Sequence, residues 1–142
     1  MPLRLEIVTP EKRAYDDVVD AVVLPGSEGQ LGILPRHAPL LSMLGAGELR
    51  VRKGGAEESF AIVGGFVQVL ADRVVVMAET ADLAAEIDLE KALEARREAE
   101  RALEAGFVEP ADLAQARAAL QAALLRIRIA ERRHREGPRR RG

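Results

Sequence analysis

Few side chains in this sequence are of types that do covalent chemistry. There are two histidines, His37 and His134, and no cysteine, so thiol nucleophiles, thiolate metal sites and a disulfide framework are excluded. Ser27 and Glu28 precede His37, and a serine, a carboxylate and an imidazole are the ingredients of an activated nucleophile. The sequence has no GxSxG elbow and no third group placed to orient the imidazole. His37 therefore reads as a structural or interface histidine. Gly64-Gly65 would let a phosphate approach the backbone, but neither the P-loop pattern nor GxGxxG surrounds it, and a bulge or a tight packing site is the simpler reading. No metal-ligand set stands out. What remains is Asp88, in the segment Ile87-Asp88-Leu89-Glu90-Lys91-Ala92, and a cluster of cations, Arg126, Arg128, Arg132, Arg133 and Arg135.

The cluster marks a charge asymmetry that the total conceals. Of the 142 residues, 21 are basic and 23 acidic. From Arg126 onward eight arginines face only Glu131 and Glu136, a surplus of +6, which leaves thirteen basic and twenty-one acidic residues before it, or −8. One end is built to meet an anionic surface. A solvated helix end, nucleic acid and an acidic protein all fit that charge. Nucleic acid would want interleaved aromatics or a recognised module, whereas the aromatics are only Tyr15, Phe60, Phe66 and Phe107. No apolar run approaches the roughly 18 to 20 residues that cross a bilayer. Residues 1–6 alternate in polarity where a signal peptide would be continuously apolar, so the expectation is a cytosolic protein with no direct membrane insertion.

These residues must be positioned by two kinds of element. Leu3, Leu5 and Ile7 alternate with Arg4 and Glu6, and Leu49 and Val51 alternate with Glu48, Arg50 and Arg52, the period of strands with one buried face. Thr9-Pro10-Glu11, Pro25-Gly26-Ser27, Gly54-Gly55 and Ala71-Asp72-Arg73 supply the turns. The runs Ala21–Leu24 and Val74–Met77 predict strands buried on both sides. Many short strands with no helical pattern between them predict an antiparallel sandwich or barrel over residues 1–85.

After Ile87 the period becomes helical. Leu89, Ala92, Leu93, Ala99, Ala102 and Leu103 form one stripe, with Asp88 as cap and Glu94–Arg97 and Glu98–Arg101 as pairs on the wet face. Gly106-Phe107-Val108-Glu109-Pro110 breaks the helix, and Pro110 suits the first position of the next. Leu113, Ala116, Leu120, Ala123, Leu124 and Ile127 form the second stripe, so residues 86–136 predict an antiparallel helical hairpin. Alanine on both stripes buries less surface than leucine, at about 25 cal/mol per Å², which predicts a hairpin held loosely enough to leave its seat. Residues 137–142 predict a disordered basic tail. The expected class is α+β, a sandwich followed by a two-helix hairpin.

At Gly26–Leu41, GSEGQLGILPRHAPLL, the chain resembles the epsilon subunit of bacterial and chloroplast F-type ATP synthases. Val8-Thr9-Pro10, the segment Ile62–Val69 (IVGGFVQV) and Ile87–Ala92 (IDLEKA) carry the resemblance along most of the sequence. In the Gly26–Leu41 loop, Gly26, Gly29 and Gly32 permit positive φ or close approach, and Pro35 and Pro39 fix direction and withhold ladder hydrogen bonds. The resemblance places Glu28, Gln30 and His37 at a rotor contact near the membrane c-ring and the gamma subunit. Gln30 stands where many relatives carry an acid.

In some members an I/L-D-x-x-R-A motif and arginines of the second helix bind ATP, which here implicates Asp88, Lys91 and Arg126. Lys91 replaces an arginine and lacks its planar fork. The resemblance further implies that Arg126, Arg128, Arg132, Arg133 and Arg135 insert among acidic segments of the alpha and beta subunits and stall ATP hydrolysis. The implied protein is a non-catalytic rotor subunit on the cytoplasmic face of the cell membrane, needing no cofactor, with ATP as a regulatory ligand. The competing reading is a basic-tailed nucleic-acid or protein adaptor unrelated to rotary ATPases.

Overall fold

The computed structural model describes residues 2–106 and 109–136. The chain divides into two compact units, Met1–Ala85 and Glu86–Gly142. In the first, period-two sequence becomes ten strands: β1 (Leu3–Val8), β2 (Arg13–Val19), β3 (Ala21–Gly26), β4 (Gly29–Ile33), β5 (Leu40–Met43), β6 (Gly47–Lys53), β7 (Ala56–Val63), β8 (Phe66–Leu70), β9 (Arg73–Met77) and β10 (Thr80–Leu83). They form two five-stranded sheets, ordered β2-β1-β9-β8-β5 and β10-β7-β6-β3-β4. Every pairing is antiparallel except that of β1 with β9. Those two strands lie far apart in sequence, so no tight hairpin dictates their direction.

One face of each sheet builds the core. Leu3, Leu5 and Ile7 of β1, Val74 and Val76 of β9, Val67 and Val69 of β8, and Leu24, Leu49 and Ile62 from the other sheet are sealed from solvent. The expectation that Ala21–Leu24 and Val74–Met77 are buried on both sides is corrected here. Val22, Leu24, Val74 and Val76 point inward, whereas Ala21, Val23 and Val75 are half-buried and Met77 is exposed. A two-layer sandwich covers one face of a strand, and an apolar run does not reveal which residues lose the second cover.

Connections explain the register. Gly54 and Gly55, both at positive φ (58° and 83°), turn β6 into β7, as a two-residue hairpin with primed geometry requires. Ala71 and Asp72 make the same kind of turn between β8 and β9 at φ 50° and 61°, without a glycine. Gly65 is a tight packing site: it has φ 106°, and a Cβ there would stand 1.9 Å from the Met77 carbonyl oxygen.

The open side of the sandwich is fastened where β2 meets the β6–β7 hairpin. Lys53 Nζ donates to Asp17 Oδ2, the Gly54 N–H donates to Asp20 Oδ2 at 2.8 Å, and the rings of Tyr15 and Phe60 meet edge to face at 5.5 Å. The Lys53 hydrogen bond holds the Asp17 carboxyl below its ordinary pKa and correspondingly raises that of Lys53. Burial raises the Tyr15 phenol, with the Asp17 and Glu58 charges adding to it.

In the second unit a short 3₁₀ turn at Ala84–Glu86 leads to α1 (Leu89–Ala105) and α2 (Pro110–Glu136), which pack on each other. Asp88 caps α1, its Oδ1 accepting from Glu90 N at 2.9 Å and Lys91 N at 3.3 Å. That satisfies two of the free N–H groups of a helix start. Ala92 and Ala99 are buried on α1; Leu113 and Leu120 are half-buried and Ala116, Ala123 and Ile127 buried on α2.

Two details differ from the sequence expectation. The expected α2 stripe fails at Leu124, which is 47% exposed, while Ala122, Leu125, Ile129 and Ala130 are buried in addition. Burial on the last turns of α2 thus covers more than one stripe. Among the described residues the ion pair on α1 is Arg96 with Glu100, at 3.5 Å and four residues apart, in place of the expected Glu94–Arg97 and Glu98–Arg101. Phe107, Val108 and the tail 137–142 lie outside the described residues.

Candidate functional site

The Gly26–Leu41 segment is more regular than its composition suggests. Its glycines make a tight hairpin, β3 into β4, in which Gly26 pairs with Gly29 and only Ser27 and Glu28 lie between. A Cβ on Gly26 would stand 2.5 Å from the Gly29 carbonyl oxygen, and Gly29 takes φ 138°. Gly32, by contrast, has open space and no positive φ, so a larger residue would fit. Ser27 N–H donates to Met43 O at 3.3 Å and Gly45 N–H to Pro25 O at 2.8 Å, which ties the hairpin to the end of β5.

Glu28 projects from the turn and Gln30 from β4, an edge strand, both exposed. His37 sits in the next connection, half-buried, with Nδ1 donating to the Ala38 carbonyl at 2.7 Å. Among the described residues no hydrogen bond links His37 to Ser27 or Glu28, so the hydrolytic ingredients are not assembled.

That connection is a β-turn, Leu34-Pro35-Arg36-His37, closed by the His37 N–H donating to Leu34 O at 3.2 Å. Arg36 takes φ 66° and its N–H donates to Asp72 Oδ1 at 2.6 Å. The β4–β5 connection is thereby pinned to the β8–β9 turn.

The outward face of the first sheet has two halves. Toward β2 it is ionic: Arg73 and Glu6 form an ion pair, Arg4 meets Asp16 at 2.9 Å, and Arg13 meets Asp16 at 3.4 Å. Glu6 is nearly buried in this lattice, at 7% exposure. Toward β5 it is apolar. Met43 pairs with Phe66 and Phe66 with Met77, and all three are exposed, together with Leu41 (72%) and Leu70 (54%). A shallow groove lined by Pro39, Leu41, Gln68 and Leu70 runs along the edge. The sequence does not mark these residues as a face, and it reads Met77 as buried where the structure exposes it. The available signal was parity, since Leu41 and Leu70 follow Leu40 and Val69 on strands whose other residues alternate inward.

The remaining sequence candidates lie on the hairpin. Arg126 lies sixteen residues beyond Pro110, as Leu89 lies sixteen before Ala105. Folding back at equal rise therefore brings Arg126 level with the first turn of α1, where Asp88 and Lys91 stand. Asp88 and Lys91 are exposed and Arg126 is half-buried. Arg128 and Arg133 are exposed and Arg132 half-buried on α2; the side chain of Arg135 lies outside the described residues. No helix among the described residues is long and apolar enough to cross a membrane.

A sandwich with an apolar sheet face left to solvent, followed by a helical hairpin, is the form of a module that works inside an assembly. The family model described as the ATP synthase delta/epsilon chain beta-sandwich domain matches residues 2–84, and that of the delta/epsilon long alpha-helix domain matches residues 85–131. An ATP synthase epsilon chain of Dehalococcoides mccartyi is 44% identical over 131 residues, covering 92% of this chain and 94% of the relative. One of Syntrophobacter fumaroxidans is 47% identical over 129 residues, covering 91% and 96%.

A chain of the Euglena gracilis mitochondrial ATP synthase OSCP/F1/c-ring structure superposes with TM-score 0.69 at 26% identity, covering 87% of this chain and 78% of that one. A chain of the Tetrahymena thermophila central stalk/c-ring structure shares the fold at TM-score 0.60 and 17% identity, covering 92% and 97%. The chain belongs to the ATP synthase delta/epsilon chain family, among the epsilon chains, and is a component of the ATP synthase complex. An adaptor outside rotary ATPases finds no support in these similarities.

Proposed function

We propose that this chain is a non-catalytic rotor subunit that joins the gamma subunit to the membrane c-ring and restrains ATP hydrolysis through its hairpin. The observation that carries the docking half is the apolar face of β5, β8 and β9, which a free-standing protein would gain nothing by exposing. In this reading gamma covers that face, and Glu28, Gln30 and His37 stand on the side toward the ring. The complex holds the chain peripherally, on the cytoplasmic face of the cell membrane.

For regulation, the hairpin moves between a state packed on the sandwich and an extended state in which Arg126, Arg128, Arg132, Arg133 and Arg135 meet acidic segments of the alpha and beta subunits. Taking such a switch from 1:99 to 99:1 needs only about 5.5 kcal/mol of differential binding. Charge complementarity mainly speeds and orients insertion, so inhibition should weaken as salt rises. Regulatory ATP binds Asp88, Lys91 and Arg126 in this reading; their common level on the hairpin favours it.

The test is a chain truncated after Ala85, added to ATP synthase depleted of its own epsilon chain. The truncated chain should still join the complex yet leave hydrolysis uninhibited. Equal inhibition by truncated and full-length chains would rule out the brake, and failure of both to join would rule out docking.

A further inference from the structure

Arg36 is held in a backbone conformation that its own side chain disfavours. In the turn Leu34-Pro35-Arg36-His37 it occupies the third position at φ 66°, which glycine or asparagine ordinarily takes because a Cβ crowds the left-handed region. Asp72, itself at φ 61°, supplies the compensation: its carboxylate accepts the Arg36 N–H at 2.6 Å, a charge-assisted bond. Two connections that glycine would have closed more easily are thus locked to each other.

The fold gains nothing visible from the arginine side chain. It is exposed, and among the described residues it makes no ion pair. Backbone strain retained for a side chain given to solvent points to a use outside the chain. Its neighbourhood says which use. Leu70 lies two residues before Asp72, and Leu41 and Pro39 line the apolar groove that the same connection enters. An exposed arginine on the connection that leads into an apolar groove fits a segment that offers apolar side chains and a carboxylate, which the planar fork can receive bidentately.

We propose that Arg36 is a specificity contact for a carboxylate on the protein segment of the stalk that covers Leu41 and Leu70, and that Asp72 is the positioning residue that presents it. This rests on the docking reading above. The probe is ATP synthase depleted of its own epsilon chain, titrated with full-length variants. Arg36→Gln should weaken binding about tenfold at low ionic strength, the loss of one charge-assisted contact, and the gap should close as salt rises. Arg36→Lys should recover only part, because it keeps the charge and loses the fork.

Arg36→Gly should bind as poorly as Arg36→Gln while raising the thermal midpoint of the free chain. Asp72→Ala should weaken binding when Arg36 is present and have no further effect in Arg36→Gly. Wild-type affinity in both Arg36→Gln and Arg36→Gly, or a loss insensitive to salt, would overturn the contact. Leu41→Ser binding normally would overturn the docking face and the contact with it, whereas loss there with normal binding by Arg36→Gln overturns the contact alone. Arg36-dependent capture by anionic lipid vesicles, with no effect on the stalk, would assign the cation to a lipid headgroup and refute the proposal.

Discussion

Replacing Leu41 and Leu70 together by serine separates docking from folding. Burying a leucine side chain fully contributes about 1.5–3 kcal/mol. With 72% of Leu41 and 54% of Leu70 still exposed in the free chain, a partner that covers both gains about 2–4 kcal/mol from them, roughly 30- to 900-fold in Kd. The fraction already buried sets the stability loss of the free chain, about 1–2 kcal/mol, which leaves it folded. Binding to epsilon-depleted ATP synthase, measured by surface plasmon resonance beside urea unfolding of the same samples, reads the two quantities. Val18→Ser serves as control, since Val18 is also exposed but lies on β2, at the far edge of the same sheet. The control should bind normally. A double variant that binds within about threefold of wild type, under half a decade on the affinity scale, would refute the assignment of this face.

Four further outcomes follow from the geometry. Gly65→Ala forces a Cβ onto the Met77 carbonyl and should cost about 3 kcal/mol or more, seen as a collapsed thermal midpoint. Ala71→Gly relieves a left-handed residue at φ 50° and should stabilise by about 0.5–1 kcal/mol after the entropy of glycine is subtracted. Because the Asp17 carboxyl is lowered and Lys53 raised by their mutual bond, the pair stabilises at neutral pH. Its contribution fades as pH falls through the folded Asp17 value, below 3.8, and again as pH rises past 10.5, through the folded Lys53 value. Tyr15, raised by burial, adds to the alkaline loss. Urea midpoints of wild type and Asp17→Asn should differ at neutral pH and converge as pH falls through the lowered folded value of Asp17. Asp88→Ala removes the α1 cap and should cost about 1 kcal/mol of helix stability. Calorimetry with ATP should give heat for the wild type and none for the variant, and no heat from either rules out regulatory ATP.

Local residue pattern is enough to locate where one kind of element yields to the other, because period two and period 3.6 place apolar side chains on incompatible faces. Leu3, Leu5 and Ile7 as a core face, the Gly54-Gly55 turn, Asp88 as a cap and Pro110 as a helix start were all legible from local chemistry. The parallel partnership of β1 with β9 and the open face of Val74–Met77 emerge only in the folded chain, since both depend on strands far away in sequence. The same holds for the apolar face of Leu41, Phe66 and Leu70, and for the bond from Arg36 to Asp72, whose residues are 36 positions apart. Periodicity reports which way a side chain points from its own strand; what stands in front of it is set by the rest of the chain.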